Sequence, residues 1–297
     1  MSICKPFVKW AGGKKQLLSS IERVLPQDFS KLKNITYIEP FVGGGAVLFW
    51  ILQNYPNNIT RAVINDINPN LTNVYKTIRD NRYELLEILS YFERSYISLS
   101  DLDLKKELFT SIRTRYNLET VSSIERAAMF IFLNKTCFNG LYRVNKKGLF
   151  NVPYGKYANP KICDVETIES DSELLQRVEI LTGDFSQTID YIGDQTLFYF
   201  DPPYRPISSS SSFTAYSKEN FKDVDQLRLA EFSKQINALG CYFILSNSDS
   251  KSSENEVSFF DEIYDNFSIE RVAATRAINS IGKKRGKVSE ILVTNNY

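Results

Sequence analysis

The sequence predicts an α/β fold: a doubly wound, mostly parallel sheet interrupted by a helical and hairpin insert. Three observations predict it. Short apolar runs ending at acidic residues occur at Ile35–Glu39, at Ala62–Asn65 before Asp66, and at Leu197–Phe200 before Asp201. The first run leads into Gly43-Gly44-Gly45 and then into an apolar stretch of helical character. From about Asn70 to Thr136 the chain turns charged, helix-periodic and poor in glycine, and the strand signals return only near Val178.

Taken in order, Ile35–Glu39 is a strand, Ala46–Leu52 a buried helix and Ala62–Asn65 a second strand. This is a βαβ start with a glycine-rich first turn. Leu85, Leu86, Ile88 and Leu89, with Tyr91 and Phe92, mark a helix, and Ile124–Leu133 a later, buried one. Leu141–Val152 looks like a hairpin turning at Asn145-Lys146-Lys147-Gly148. Further strands are expected at Val178–Leu181, Leu197–Phe200, Tyr242–Leu245 and Ile291–Thr294. The insert is placed at residues 70–166, leaving 1–69 and 167–297 as one discontinuous unit. Ser208–Ser212 reads as a solvated loop, compatible with a mobile lid.

Composition narrows the function. Apolar and charged fractions of 43% and 24% are those of a soluble globular protein. The longest fully apolar run, Ala127–Leu133, is far below the ~18 residues that span a bilayer. Met1–Lys9 lacks a signal-peptide pattern. Cys4, Cys137, Cys163 and Cys241 have no metal-ligand spacing and read as reduced thiols of a cytosolic protein. The absence of histidine excludes Ser-His-Asp hydrolysis, imidazole general-base catalysis and most catalytic zinc sites. The net charge is only +1, but two acid-free basic runs stand out. One holds Lys135, Arg143, Lys146, Lys147 and Lys156; the other Arg276, Lys283, Lys284, Arg285 and Lys287. Such runs are either solvated faces or a nucleic-acid footprint.

Asp201-Pro202-Pro203-Tyr204 is the most informative stretch. It follows a buried strand, at the end where open α/β sheets bind ligands. The prolines fix φ and remove two N–H donors, which leaves a stiff loop offering a carboxylate, carbonyls and a flat ring. That set suits a planar substrate carrying an NH2 group. An adenine amine is a poor nucleophile because its lone pair is delocalised into the ring; an acceptor on each N–H favours the pyramidal nitrogen that can attack. A strand merely ending in a proline-rich loop would show the same residues.

The stretch Glu39–Gly45 places an acid at a strand end and glycines at the next helix start. Glycine permits close backbone approach to a ligand, but the spacing is not G-x-G-x-x-G. Asp66 ends the second strand about 20 residues on, where an acid typically grips a ribose hydroxyl. A ribose without a phosphate signature points to S-adenosylmethionine; a packing turn beside an unrelated surface Asp is the alternative. Lys9-Trp10-Ala11-Gly12-Gly13-Lys14 is not a P-loop, since Lys15 stands where Ser or Thr is required. Lys14 is either an ammonium for a small ligand's carboxylate, with Trp10 beside it, or an exposed lysine at a helix start.

Together Phe7–Lys14, Glu39–Gly45, Asn65–Asn68 and Asp201–Tyr204 resemble the Dam-type (D12 class, alpha group) adenine-N6 DNA methyltransferases, nearest the GATC-specific members. Phe213–Tyr216 and Leu245–Ser248 also match, so the resemblance covers nearly the whole chain. It implies a Rossmann-like class I methyltransferase sheet with an inserted DNA-recognition domain. It implies that Trp10, Lys14, Asp66 and Asp201 contact S-adenosylmethionine, with Glu39, Phe41, Gly43 and Gly45 beside it, and that S-adenosylhomocysteine is the product. Asp201 and the Pro202 carbonyl would hold N6 of a flipped-out adenine, and Tyr204 would stack on it. No metal is implied.

The insert matches the family's GATC reader at Asn134–Asn145 and Phe150–Gly155. By that resemblance Phe138 is an intercalating wedge followed by Asn139, and Leu141, Arg143, Pro153 and Lys9 face bases. Phe138 replaces a frequent tyrosine, which keeps stacking and loses a hydroxyl. Lys146 and Lys147 at the hairpin tip suit phosphates. A core Phe138 and a phosphate-bound Arg143 are the plain alternatives. Double-stranded DNA is the implied partner, with a cognate restriction endonuclease where the enzyme serves restriction-modification. A cytoplasmic, nucleoid-associated monomer with no membrane segment is expected. The same loop acting on RNA or another DNA site, or a dead nucleic-acid-binding subunit, are the competing readings; intact Asp201 and glycines oppose the last.

Overall fold

A computed structural model describes residues 4–10, 12–205, 221–249, 258–275 and 287–295. The described elements are α1 (Leu18–Arg23), β1 (Ile35–Glu39), α2 (Ala46–Asn54), β2 (Ile59–Asp66), α3 (Pro69–Asp80), α4 (Arg82–Ile97), α5 (Leu102–Leu118), α6 (Ser123–Thr136) and α7 (Val165–Leu175). There follow β3 (Val178–Thr182), β4 (Gln195–Phe200), α8 (Asp223–Ala238), β5 (Tyr242–Ser248), α9 (Phe259–Ile263), β6 (Ser268–Thr275) and β7 (Lys287–Thr294). The strands join in one sheet in the order β3-β2-β1-β4-β5-β7-β6. The first five in that order run parallel, and β7 pairs antiparallel with both β5 and β6.

Period-two alternation explains why both faces of this sheet are covered. Tyr37, Ala62, Ile64, Leu197, Tyr199, Ile244 and Leu292 enter the core on one face, with α2, α3 and α6. Their neighbours Ile38, Val63, Phe198, Phe200, Phe243, Leu245 and Val293 enter a second core with α8 and α9. The strands thus read as unbroken apolar runs because each residue has a packed side to face. After β1 the chain proceeds outward to β2 and β3; β4 then returns to pair with β1 on its other edge. That reversal puts the carboxyl ends of β1 and β4 side by side, the place where such sheets hold ligands.

Five α-helices and a long loop lie between β2 and β3, where the sequence changes pattern. Local signals start three of them. The Asn68 side chain accepts from the Asn70 and Leu71 amides, with Pro69 in the first turn of α3. Asp101 caps α5 and Ser122 caps α6 in the same way. α3 packs on β2 and β3 and also on α6 and α7, so the interruption is continuous with the sheet's own core.

The hairpin expected over Leu141–Val152 is reduced in the structure to its turn and isolated bridges, Val144 with Phe150 and Cys137 with Tyr154. The Gly148 amide donates to the Asn145 carbonyl at 2.8 Å, and the Asn145 amide to Leu149 at 2.9 Å. Side chains from the helices replace the missing ladder. Asn117 on α5 both accepts from the Phe150 amide (2.8 Å) and donates to the Phe150 carbonyl (3.0 Å). Glu93 on α4 accepts from the Ile162 and Cys163 amides, and the buried Lys105 donates to Ala158 at 2.7 Å. Helix α5, not singled out from its own periodicity, supplies two of these hooks. Arg276, Lys283, Lys284 and Arg285 of the second basic run, and the segments Ser208–Ser212 and Phe213–Tyr216, lie outside the described residues. Among the described residues no helix is long and apolar enough to cross a membrane.

Asn117→Ala strands a buried amide and carbonyl of Phe150 together, so a stability loss of about 2 kcal/mol is expected. Urea unfolding checks it; a loss under about 0.5 kcal/mol, typical of surface substitutions, would show that the loop does not hang on this residue.

Candidate functional site

Asp201 is the first residue past β4, beside the end of β1. Its Oδ1 lies 2.7 Å from Lys14 Nζ and accepts from Ser246 Oγ at 3.3 Å. Lys14 opens a short 3-10 turn and is only 4% exposed. It is therefore not the exposed helix-start lysine of the plainer reading. Its ammonium also donates to the Gly12 carbonyl at 2.7 Å and sits 4.4 Å from the centre of the Tyr204 ring. Burial pushes the Asp201 carboxyl above its usual range, and Lys14 pulls it back. Asp201 is thus an acid whose charged form is favoured by one buried cation against the effect of burial. Removing it strands that cation, so Asp201→Ala loses stability as well as an acceptor.

The loop after Asp201 is fixed from three directions. Gln226 on α8 donates to the Pro203 carbonyl at 3.1 Å. Asn247 on β5 accepts from the Arg205 amide at 3.4 Å, and Ser248 donates to the Arg205 carbonyl at 3.1 Å. The Tyr204 hydroxyl donates to Glu290 Oε2 on β7 at 2.6 Å. Pro202 is buried.

The end of β1 carries Glu39, 2% exposed, which accepts from the Tyr37 hydroxyl at 2.7 Å. Burial pushes its carboxyl well above the carboxylate range, and nearby Asp201 adds to that. The glycine turn follows, with φ of +48° at Gly43 and +75° at Gly45. A Cβ at Gly43 would lie 2.9 Å from Trp10 Cδ1, and one at Gly44 2.9 Å from Trp10 Cβ. The glycines are thus required by Trp10, which lies directly on the turn. Asp66 closes the arrangement: its carboxylate accepts from the Gly43 amide (3.1 Å) and the Asn68 amide (2.8 Å).

Beside Asp66 opens a cleft of about 110 Å³ walled by Phe41, Ile67, Asp184, Phe185, Pro203 and Phe221. Phe41 meets Phe185 and Phe221 at ring-centre distances of 5.4 and 5.7 Å. An aromatic slot next to a half-buried acid suits a flat heterocycle joined to a polyol.

A second group of candidate residues gathers around the loop after α6. Phe138 is 49% exposed, outside the core, and its amide donates to the Pro153 carbonyl at 2.8 Å. Asn139 is exposed in the left-handed region at φ +55°. Arg143 is exposed and fixed by Asn151, with Nε to Oδ1 at 2.8 Å and Nη2 to the carbonyl at 3.3 Å. Pro153, Lys146 and Lys147 are exposed, and Leu141 is half-buried. Lys9 is exposed with its ammonium 4.5 Å from the Tyr157 ring. Buried Asn134 ties this group to the first: it accepts from the Lys9 amide (2.8 Å) and donates to the Lys9 and Gly140 carbonyls (2.8 and 2.9 Å). Trp10, one residue on, stacks at 5.6 Å against Tyr142 of the same loop.

The family model for D12 class N6 adenine-specific DNA methyltransferases matches residues 10–278, which hold both groups except Lys9 and Glu290. The chain belongs to this family. It is 46% identical over 294 residues to the Type II methyltransferase M.MjaIII of Methanocaldococcus jannaschii, covering 98% of this chain and 99% of that protein. It is 41% identical over 293 residues to the Type II methyltransferase M1.LlaDCHI of Lactococcus lactis subsp. cremoris, covering 98% and 95%. It is 31% identical over 289 residues to a DNA adenine methylase of Vibrio cholerae, covering 97% and 95%.

Sequence reasoning about this methyltransferase missed Ile67, Asp184 and Phe185 of the cleft, and Gln226 and Glu290 behind the loop. The first three follow the ends of β2 and β3, and the rule that ligands sit at carboxyl ends of parallel strands would have found them. Gln226 and Glu290 reach the site only through tertiary packing and leave no local signal.

Burial raises the Asp66 carboxyl from its ordinary 3.8 to about 6, against the pull of the Asn68 and Gly43 amides. Folded chain therefore keeps a proton there that unfolded chain has released. The stabilisation from this group is full below about pH 4, falls as pH rises to about 6, and is constant beyond. Asp66→Asn has no such titration. The stability of the variant relative to wild type should rise between pH 4 and 6 and level off above, measured by urea unfolding at fixed ionic strength. A difference that stays flat across that window would remove the assignment.

Proposed function

We propose that this DNA methyltransferase transfers a methyl group from S-adenosylmethionine to N6 of an adenine flipped out of duplex DNA, in the sequence GATC. The carrying observation is Asp201, paired with Lys14 at the switch point of the sheet with Tyr204 beside it. The aromatic cleft next to Asp66 fits the adenosyl part of the cofactor, with the Asp66 carboxylate accepting from ribose hydroxyls. S-adenosylmethionine, when bound, supplies a methyl group activated on a sulfonium. Its positive charge suits a site that gathers the acids Asp201 and Glu39 at neighbouring strand ends.

Both hydrogen bonds to Asp201 fall on Oδ1. Oδ2 and the Pro202 carbonyl are then the two acceptors for the N6 protons. They gain strength as the amine becomes pyramidal and positive, so their effect is felt in the transition state. Tyr204 stacks on the extruded base with Lys14 against its ring. Flipping costs a few kcal/mol of unstacking, which the pocket and the backbone contacts offset.

Residues 70–166 serve as the target-recognition part and 1–69 with 167–297 as the catalytic part. Exposed Phe138 enters the stack where the base leaves, and Arg143, its plane fixed by Asn151, reads guanine from the major groove. Lys9, Asn139, Leu141 and Pro153 complete the reading surface, with Lys146 and Lys147 on phosphates. The Asn134 hydrogen bonds run from this surface to the segment carrying Trp10, so recognition and cofactor turn share a rigid connection.

Expression in a strain without adenine methylation, followed by long-read mapping of N6-methyladenine, tests the reading. Modification of GATC is expected. Modification of another adenine site would keep the chemistry and reject the assigned recognition; modification of RNA alone would reject duplex DNA as the substrate. Asp201→Ala is expected to lower turnover at least ~1000-fold, since it removes an acceptor and unbalances Lys14. Substantial remaining activity sinks the mechanism. Arg143→Ala should relax one base pair of the site by roughly ten-fold to a hundred-fold, as for the loss of a bidentate guanine contact. Replacing Lys146 or Lys147 should weaken all sequences alike and shallow the salt dependence. A uniform loss in Arg143→Ala would make Arg143 a phosphate contact instead.

A further inference from the structure

We infer that Glu290 is a positioning residue for methyl transfer, acting through the Tyr204 hydroxyl to hold the ring at the angle a stacked adenine needs. The inference rests on the reaction proposed above but not on GATC as its target.

The observation is a carboxylate where the sheet does not need one. Glu290 lies on β7, whose next residues Ile291, Leu292 and Val293 are fully buried. Antiparallel pairing sets it opposite Ser248 of β5 and Val272 of β6. Alternation along β7 turns Glu290 to the face of Leu292, which is the face of Tyr199 and Ile244. There its Oε2 accepts from the Tyr204 hydroxyl at 2.6 Å, a short charge-assisted bond. Its pairing partner Ser248 donates to the Arg205 carbonyl, so both strands of one register pair grip adjacent residues of the Asp201–Arg205 loop.

Tyr204 is thereby fixed at two places. Lys14 Nζ lies 4.4 Å from its ring centre, and Glu290 holds its far end. A tyrosine ring fixed only at its Cα can turn about two side-chain torsions. With the hydroxyl tied to Glu290 and Lys14 set against the ring, that freedom is removed before the base arrives, so less is lost on stacking. The bond also acts electronically. A phenol donating to a carboxylate is richer in electrons, and a richer ring better stabilises the positive charge that builds on the adenine amine as the methyl arrives. Both effects act on the stacked and reacting states, more than on cofactor binding.

The test compares wild type, Glu290→Ala, Glu290→Gln, Tyr204→Phe and the double variant Glu290→Ala/Tyr204→Phe, on a duplex carrying the sequence the wild type methylates in cells. Expected is a fall in kcat of roughly ten-fold in Glu290→Ala and in Tyr204→Phe, the worth of one charge-assisted bond, with KM for S-adenosylmethionine within about two-fold. The double variant should be no slower than either single one, because both remove the same bond. Glu290→Gln, which keeps an acceptor, should recover most of the loss. With 2-aminopurine in place of the target adenine, Glu290→Ala should leave the extruded base brighter than wild type does, through poorer stacking. Additive losses in the double variant, or Glu290→Ala at wild-type kcat, overturn the inference while leaving the proposed reaction intact. A fall in Glu290→Ala seen only as raised KM overturns it too, since it would place Glu290 in cofactor binding. A wild-type chain that methylates no adenine overturns the reaction and the inference together.

Discussion

One buried ion pair governs the site: Lys14 against Asp201. An aspartate at the end of a central strand is surrounded by the sheet and both covering layers, and burial alone drives it toward the neutral acid. A neutral Asp201 could offer only a weak acceptor to an amine. Lys14 opposes that tendency, and its own desolvation is met by the Gly12 carbonyl and the Tyr204 ring. Such a pair contributes little to stability, because removing two charges from water offsets most of their attraction. Its effect is to fix the orientation of the Asp201 carboxyl in advance. Glu39, one strand away, shows the contrast: its carboxyl lies well above the usual range and is satisfied by the Tyr37 hydroxyl. Burial raises both acids and Lys14 lowers both, but only Asp201 is in direct contact with it.

The sheet order puts these groups together. β1 and β4 are far apart in sequence, yet they pair directly, with Ile38 opposite Phe198. Glu39 and Asp201 therefore leave the sheet from neighbouring strands. The N-terminal segment then lays Lys9 and Trp10 across the gap between the sheet and the interrupting helices. Trp10 presses on Gly43 and Gly44 on one side and Tyr142 on the other, while Asn134 holds the backbone of Lys9. A displacement of the loop after α6 is in this way felt at the glycine turn through close-packed contacts rather than through a flexible tether.

The legible parts of this protein were those whose signal is local. Strands β1, β2 and β4 were visible because residues buried on both faces leave unbroken apolar runs, and the acids that end them mark the site. The Asp201–Tyr204 loop and the triple glycine were visible because proline and glycine restrict or release the backbone in ways few other residues do. What was not legible depends on distant pairing. Ser268–Thr275 became β6 with little alternation of its own, because β7 supplies its ladder. The hooks Asn117, Glu93 and Lys105 look like ordinary helix-surface residues until the loop from 141 to 164 is laid across them. Lys14 could be read as exposed or as ligand-bound, and only the fold shows that its nearest carboxylate is Asp201.

The lack of histidine gives the surrounding acids a particular importance. With no imidazole in the chain, any titration near neutrality that affects the site must come from carboxyls moved upward by burial. Asp66 is such a group, raised to about 6 although two amides hold its charged form. Its two oxygens are already engaged, one with Gly43 of the glycine turn and the other with Asn68 at the start of α3. Protonation would weaken both bonds at once and loosen the turn on which Trp10 rests. The same carboxylate that suits a ribose is thus a structural brace of the turn, and that dual role explains why the chain keeps an acid there at a cost in stability at neutral pH.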